Sequence, residues 1–147
     1  MCFVHRDFHA SNIMVKNNKF GLIDSQDALS GNLLYDVASL VDDVRIKLPL
    51  KLKSSLFNYY LSKTKKIKLS EKNLAKDDFD ILSVQRNLKI LGIFVRLCKR
   101  DKKTNYLKFL PYTWKLLDLR LKNPIFNNLK NLLDKVISDK NKKKVRF

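Results

Sequence analysis

His5-Arg6-Asp7-Phe8-His9-Ala10-Ser11-Asn12, joined later by Leu22-Ile23-Asp24, is the stretch from which the rest of the chain is read. Asp7 and Asn12 stand five residues apart in what reads as a loop, and Asp24 follows an apolar run a dozen residues later. Between them, Ile13-Met14-Val15 and Phe20-Gly21-Leu22-Ile23 read as two short strands. Lys16-Asn17-Asn18-Lys19 supplies the turn. A hairpin of this length returns Asp24 to the side of Asn12.

Two carboxylates and an amide gathered in this way suit phosphoryl transfer, where positioning and charge neutralisation matter more than covalent work by the protein. Asp7 has the chemistry to accept or orient the proton of an attacking hydroxyl. Asn12 and Asp24 offer oxygens to Mg²⁺, a hard cation that needs few protein ligands beside phosphate and water. Taken singly, each of these residues has an ordinary explanation as a cap or turn residue. The joint spacing carries the reading.

H-R-D-x-x-x-x-N is the catalytic-loop pattern of protein-kinase-like phosphotransferases. His5 to Asp43, with H-R-D-F-H-A-S-N-I-M, G-L-I-D-S-Q-D-A-L-S-G and Y-D-V-A-S-L-V-D-D, resembles the aminoglycoside phosphotransferase family. Within it the likeness is strongest to bacterial sugar kinases that phosphorylate the anomeric hydroxyl of N-acetylmuramate and N-acetylglucosamine in cell-wall recycling. Val84 to Leu110 resembles the same subgroup, so the likeness reaches about as far as Pro124. The resemblance implies that Asp7 is the catalytic base, that Asn12 and Asp24 hold Mg²⁺, that ATP is the donor and that a sugar hydroxyl is the acceptor. It further implies that Asp27 faces the acceptor side, that Arg86 contacts the sugar, and that His5, His9 and Asp36 support the loop. Asp24 is followed by Ser25-Gln26 and not by Phe-Gly, so the activation switch of protein kinases is not expected.

The chain has 147 residues, 45% of them hydrophobic and 31% charged, which suits one folded body with a core. Only six residues precede Asp7, the three glycines Gly21, Gly31 and Gly92 are scattered, and Glu71 is the sole glutamate. A kinase of this kind also needs a Gly-rich phosphate loop, a strand lysine and a helix glutamate. The expectation is therefore an α+β, mostly α-helical C-terminal lobe with a small β-hairpin at the catalytic loop and the N-lobe absent. Its nucleotide-binding residues are unassigned. A truncated or split reading frame, inactive alone, with an N-lobe polypeptide encoded upstream, follows from that expectation.

Net charge is +17, which raises a nucleic-acid or membrane partner. The lysines are spread along the chain, however, and a Lys- and Asn-rich, Arg-poor balance is what an AT-rich coding bias produces. No specific nucleic-acid partner is expected. Cys2 and Cys98 have neither disulfide nor metal-ligand spacing, and His5 and His9 do not complete a zinc site with them. No signal peptide and no apolar run of about 20 residues is present, so a cytoplasmic protein without a membrane partner is expected.

Residues 1–32 read as catalytic loop, hairpin and metal-ligand loop, with 25–32 irregular, and residues 33–138 as a helical subdomain. Leu33 to Leu48 has helical periodicity, Ser30 or Asn32 to cap it and Pro49 to end it. Asp36 suits the first turn electrostatically, whether or not it also braces the loop. Asp42 and Asp43 are expected to face solvent. A second helix runs from Leu50 to Ser62, a basic connector follows to Lys72, and Ser70 is a plausible cap for a long helix from Asn73 to Arg100. That helix reads as buried and central near Ile90 to Leu97, with Gly92 hinting at a close backbone. Gln85, Arg86 and Lys89 form a polar patch, either a solvated face or the sugar contact. Pro111 starts a helix to Leu121, Pro124 precedes another to Ile137, and residues 139–147 read as a disordered basic tail. The alternative to the kinase lobe is a non-catalytic basic helical remnant that binds nucleic acid or a protein partner.

Overall fold

The computed structural model describes residues 2–64, 67 and 71–143, Lys72 and Lys143 by backbone alone. The chain groups into two compact units, Met1–Leu82 and Ser83–Phe147, and the division falls inside a helix. Helices dominate, with two small antiparallel sheets, as an α+β class requires.

In the first unit the strands are β1 (Cys2–Val4), β2 (Ile13–Lys16), β3 (Lys19–Leu22) and β4 (Leu29–Gly31). β2 and β3 form the expected hairpin, with Ile13 opposite Leu22 and Lys16 opposite Lys19. Asn17 and Asn18 occupy its turn at φ 49° and 58°, the left-handed pair that matches the right-handed twist of the flanking strands. β4 is a departure from the irregular loop expected over 25–32. It pairs with β1, Phe3 opposite Ser30, across a sequence gap that no local pattern announces. Gly31 permits this pairing, since a Cβ there would stand 3.1 Å from Val4 Cγ2.

α1 covers only Tyr35–Val41, not the expected span to Leu48. Its end is set by aspartates rather than by Pro49. Asp43 Oδ1 accepts from Arg45 N at 3.0 Å, a local bond that competes with helix continuation. Asn32 does act at the entrance, its Oδ1 accepting from Leu34 N at 2.9 Å. Pro49 instead precedes α2 (Leu50–Lys63), with Lys53 N donating to its carbonyl at 3.0 Å. Lys53, Phe57 and Leu61 form the buried stripe of α2 at four-residue spacing. Phe57 and Leu61 meet Leu34 and, from α1, Ala38 and Val41, together with Ala75 and Phe79, and the Phe57 and Phe79 rings stand 4.7 Å apart. Half of the basic connector, including Ser70, lies outside the described residues.

α3 (Lys72–Asp101) matches the expected long helix, but its buried stretch does not. Phe79, Asp80, Ser83, Val84, Arg86 and Asn87 are buried, whereas between Ile90 and Leu97 only Phe94 is. Nothing lies within 4 Å of a Cβ built on Gly92, so no close backbone accounts for that glycine.

In the second unit, the buried Phe94 ring lies 5.3 Å from Tyr106 and 5.9 Å from Phe109, both half-buried. α4 (Leu110–Arg120) starts with Pro111 in its first turn, where a missing N–H costs least, and buries Leu110, Thr113, Leu116 and Leu117. A 3₁₀ turn at Pro124–Phe126 leads to α5 (Asn127–Val136). Where a disordered tail is expected, Asp139–Lys143 forms α6. Lys142 anchors it: the ammonium reaches Asp134 Oδ1 at 2.9 Å and stands 5.7 Å from the centre of the Trp114 ring. Lys130 and Lys142 pull the Asp134 carboxyl down to about 2.

Candidate active site

The loop from His5 to Asn12 leaves β1 and is held from below by α1. His5 N donates to Asp36 Oδ2 at 2.7 Å, and Arg6 N to Asp36 Oδ1 at 3.0 Å. A single carboxylate thus fixes two successive amides, including that of Arg6, whose φ of 72° puts a non-glycine residue in the left-handed region. Such backbone costs about 1–3 kcal/mol and persists only where neighbours hold it. Arg6 also reaches forward, Nη1 donating to the Asp27 carbonyl at 3.3 Å.

The loop closes with a 3₁₀ turn at Ala10–Asn12, and the chain enters β2 at once. Hairpin register does the rest. Ile13 pairs with Leu22, so Ile23 N reaches the Asn12 carbonyl at 3.1 Å and Asp24 arrives beside Asn12. The buried Asn12 side chain then bridges the site: Nδ2 donates to the Asp7 carbonyl at 3.0 Å and to Asp24 Oδ2 at 3.4 Å. Asp24 also has positive φ, 69°, and its Oδ1 accepts from Gln26 Nε2 at 2.6 Å. The Asp7 carboxylate, half-buried, takes no hydrogen bond from the described residues, which leaves it available to a hydroxyl.

The donor set fits a hard divalent cation. Asn12 Oδ1 has no donor among the described residues, and the Asp24 carboxylate is exposed beside it. An amide oxygen plus a carboxylate, with no thiolate or imidazole, is the chemistry of Mg²⁺ and not of zinc. No group of three or more His, Cys, Asp or Glu that could hold a metal ion gathers among the described residues.

Other sequence-derived candidates fall in different places. His5 is buried edge-on to the Phe8 ring, 6.2 Å between centroids, and neither ring nitrogen has a hydrogen-bond partner among the described residues. His9 is half-buried in the same loop, with its N–H donating to the Asp7 carbonyl. Asp27 is exposed and is tied in through its carbonyl alone. Arg86 belongs to the second unit and is buried, whereas Gln85 and Lys89 beside it are exposed, so the patch is not one solvated face.

Asp42 and Asp43 overturn the expectation of solvent-facing carboxylates, each being 1% exposed. Asp42 Oδ1 receives the buried Lys53 ammonium at 2.9 Å, and the same ammonium donates to the Val41 carbonyl. Asp43 Oδ2 accepts from Ala10 N at 3.3 Å, inside the catalytic loop. The sequence signal for these roles is thin: Asp43 lies seven residues after Asp36, which only in the expected helix to Leu48 would put the two on one side. Burial pushes the Tyr60 phenol above its usual range, with Cys2 and Asp36 adding to it, and its hydroxyl donates to the Leu33 carbonyl at 2.9 Å.

With this geometry in place, comparison with known proteins bears out the resemblance read from the motifs. Residues 1–69 match the model of the phosphotransferase enzyme family. An N-acetylmuramate/N-acetylglucosamine kinase of Pseudomonas aeruginosa is 35% identical over 119 residues, 79% of this chain and 35% of that protein. The kinase of the same name from Neisseria meningitidis serogroup B is 37% identical over 113 residues, 74% and 34% of the two chains. That of Caulobacter vibrioides is 28% identical over 140 residues, 92% and 38%. The chain therefore spans about a third of the length of the curated relatives it matches. Among the described residues, no helix is long and apolar enough to cross a membrane.

Proposed function

Taking as premise that residues 1–69 are those of the phosphotransferase enzyme family, we propose that the chain is the C-terminal catalytic lobe of a kinase that moves the ATP γ-phosphate to a sugar hydroxyl. The Asn12 side chain carries this reading, because one amide links the backbone at Asp7 to the carboxylate of Asp24. Asp7 orients the acceptor hydroxyl and takes its proton as the oxygen attacks. Asn12 and Asp24 hold Mg²⁺, which when bound supplies neutralisation of the charge on the phosphate oxygens. Asp36 keeps His5 and Arg6 in place, so that Asp7 enters the site from a fixed backbone. His5 and His9 shape the loop, and Asp27 faces the acceptor. Arg86 is the weaker candidate for a sugar contact, since it is buried.

The acceptor class we favour is an amino sugar such as N-acetylmuramate or N-acetylglucosamine, from the names of the relatives. The nucleotide-binding lobe lies in the two thirds of such a protein that this chain does not span, whether on the same polypeptide or on another. Exposed apolar side chains on the small sheets support a covering partner: Phe3, Met14, Val15, Phe20, Leu22 and Leu29. The proposed setting is the cytoplasm, where ATP and reduced thiols are available.

The test joins this chain to the amino-terminal part of the Pseudomonas aeruginosa relative and follows ADP release with N-acetylmuramate. Turnover is expected, with kcat falling about 10³-fold in Asp7→Ala and in Asp24→Ala, as removal of a group that acts only in the transition state should produce. Either variant turning over at the parent rate overturns the assignment.

A further inference from the structure

We infer that Asp43 is a positioning residue: it anchors the Ala10 amide and thereby sets the direction in which Asn12 presents its side chain. The inference rests on reading Asn12 and Asp24 as the metal-holding pair. Asp36 grips the loop ahead of Asp7, at the amides of His5 and Arg6. Asp43 grips it after Asp7, at the amide of Ala10, 3.3 Å from Oδ2. Asp7 is thus carried on backbone pinned on both sides by carboxylates from α1 and the turn that ends it.

The second anchor matters because of what Ala10 begins. The 3₁₀ turn Ala10–Asn12 has leading amides with no acceptor inside the turn. Asp43 supplies an acceptor for the first of them, and Asn12 is the last residue of the same short turn. A tilt of the turn would swing Asn12 Nδ2 away from both the Asp7 carbonyl and Asp24. The aim of Asp43 is itself constrained, since its other oxygen receives Arg45 N at 3.0 Å and Arg45 Nη1 at 3.4 Å. One residue earlier, Lys53 holds Asp42 and the Val41 carbonyl from inside the core. Asp43 touches neither substrate nor metal in this account. It acts through Asn12.

The test is amide hydrogen exchange by NMR on the full chain, for the parent, Asp43→Asn and Asp43→Ala, with Mn²⁺ broadening measured on the same samples. Asp43→Ala should speed Ala10 exchange about tenfold or more, the factor that a charge-assisted hydrogen bond carries. Asp43→Asn keeps an oxygen acceptor without the charge, so a smaller rise of about threefold is expected. Asn12 side-chain signals should shift in the same graded order, while the amides of α2 and α4 stay at parent rates. Mn²⁺ affinity at Asn12 and Asp24 should fall about tenfold in Asp43→Ala. Ala10 and Asn12 unchanged in both variants overturns the inference, as does a general loss of protection that includes α4 in Asp43→Asn. If Asp43→Ala does not fold, the Ala10 rate in Asp43→Asn decides alone: a selective rise supports the anchor, none removes it. Absence of Mn²⁺ broadening in the parent counts against the metal reading, whereas unchanged exchange counts against Asp43 even where Mn²⁺ binds.

Discussion

The loop at the start of the chain and the helix α4 differ in what they bury. Around the catalytic loop, polar side chains are inside: His5, Asn12, Asp42 and Asp43 are buried, while Phe3, Met14, Val15 and Phe20 are exposed. In α4 and the segment that follows it the buried set is mostly apolar, with Leu110, Leu116, Leu117, Leu121 and Phe126 beside Thr113, and the Asp134–Lys130 pair lies at the surface. A region made of apolar contact is held together but is not aimed, because burial is non-directional. Buried carboxylates bonded to particular amides fix atoms in direction, at the cost of desolvation. The first region therefore reads as a device for placing Asp7, Asn12 and Asp24, and the second as a body that is merely stable.

The largest effect on stability should come from breaking the inside-out polarity at its most buried point. Lys53→Met takes the buried ammonium away from Asp42 where both side chains are almost wholly buried, and a loss of about 4 kcal/mol is expected in urea unfolding. Replacing both partners by apolar residues should recover most of that loss. A full loss in the double variant would mean that packing, not charge neutralisation, is what Lys53 contributes. Leu117→Ala probes the other region. Leu117 is fully buried, and removing three methyl or methylene carbons there should cost about 3 kcal/mol. It should do so without changing Ala10 exchange; a change at Ala10 would show that the two regions are not independent.

Acid should loosen the second unit at its end. Asp134 has a folded value of about 2, held down first by Lys130 and then by Lys142, against the usual 3.8. A depressed carboxyl contributes stability above its unfolded value and loses it as pH falls through the folded one. Protection of α6 amides should accordingly fall between about pH 4 and pH 2, and Asp134→Asn should abolish that pH step. An unchanged step in the variant would assign it to Asp118 or Asp139, which lie 3.8 and 3.6 Å from the Lys142 ammonium. The smallest effect is expected on the exposed sheet face. Phe20→Ser should change stability by no more than about 0.5 kcal/mol, since the ring is 77% exposed. It should nonetheless weaken association with the amino-terminal part of the relative used above, and equal association in titration calorimetry would remove that face from the proposed interface.

Much of the candidate site was legible because its parts are close in sequence. The Asn17-Asn18 turn, the hairpin and the return of Asp24 to Asn12 all follow from residues within a few positions of one another. Helices α2, α3 and α4 were legible for the same reason, through periodicity and, for α4, Pro111. The misses have a different character. Nothing local distinguishes Asp42 and Asp43 from two solvated aspartates; a lysine on the next helix and an amide more than 30 positions back decide otherwise.

What the sequence determined by itself, then, is the set of candidate site groups and the short-range geometry that brings them together: Asp7, Asn12 and Asp24 on a loop and a two-stranded hairpin. Tertiary structure alone decided that Leu29–Gly31 is a strand against Cys2–Val4 and that the carboxylates after α1 turn inward. The reason is the range of the interactions. Backbone propensity and turn chemistry act over a few residues, whereas strand pairing and the burial of a charge depend on which distant groups arrive to meet them.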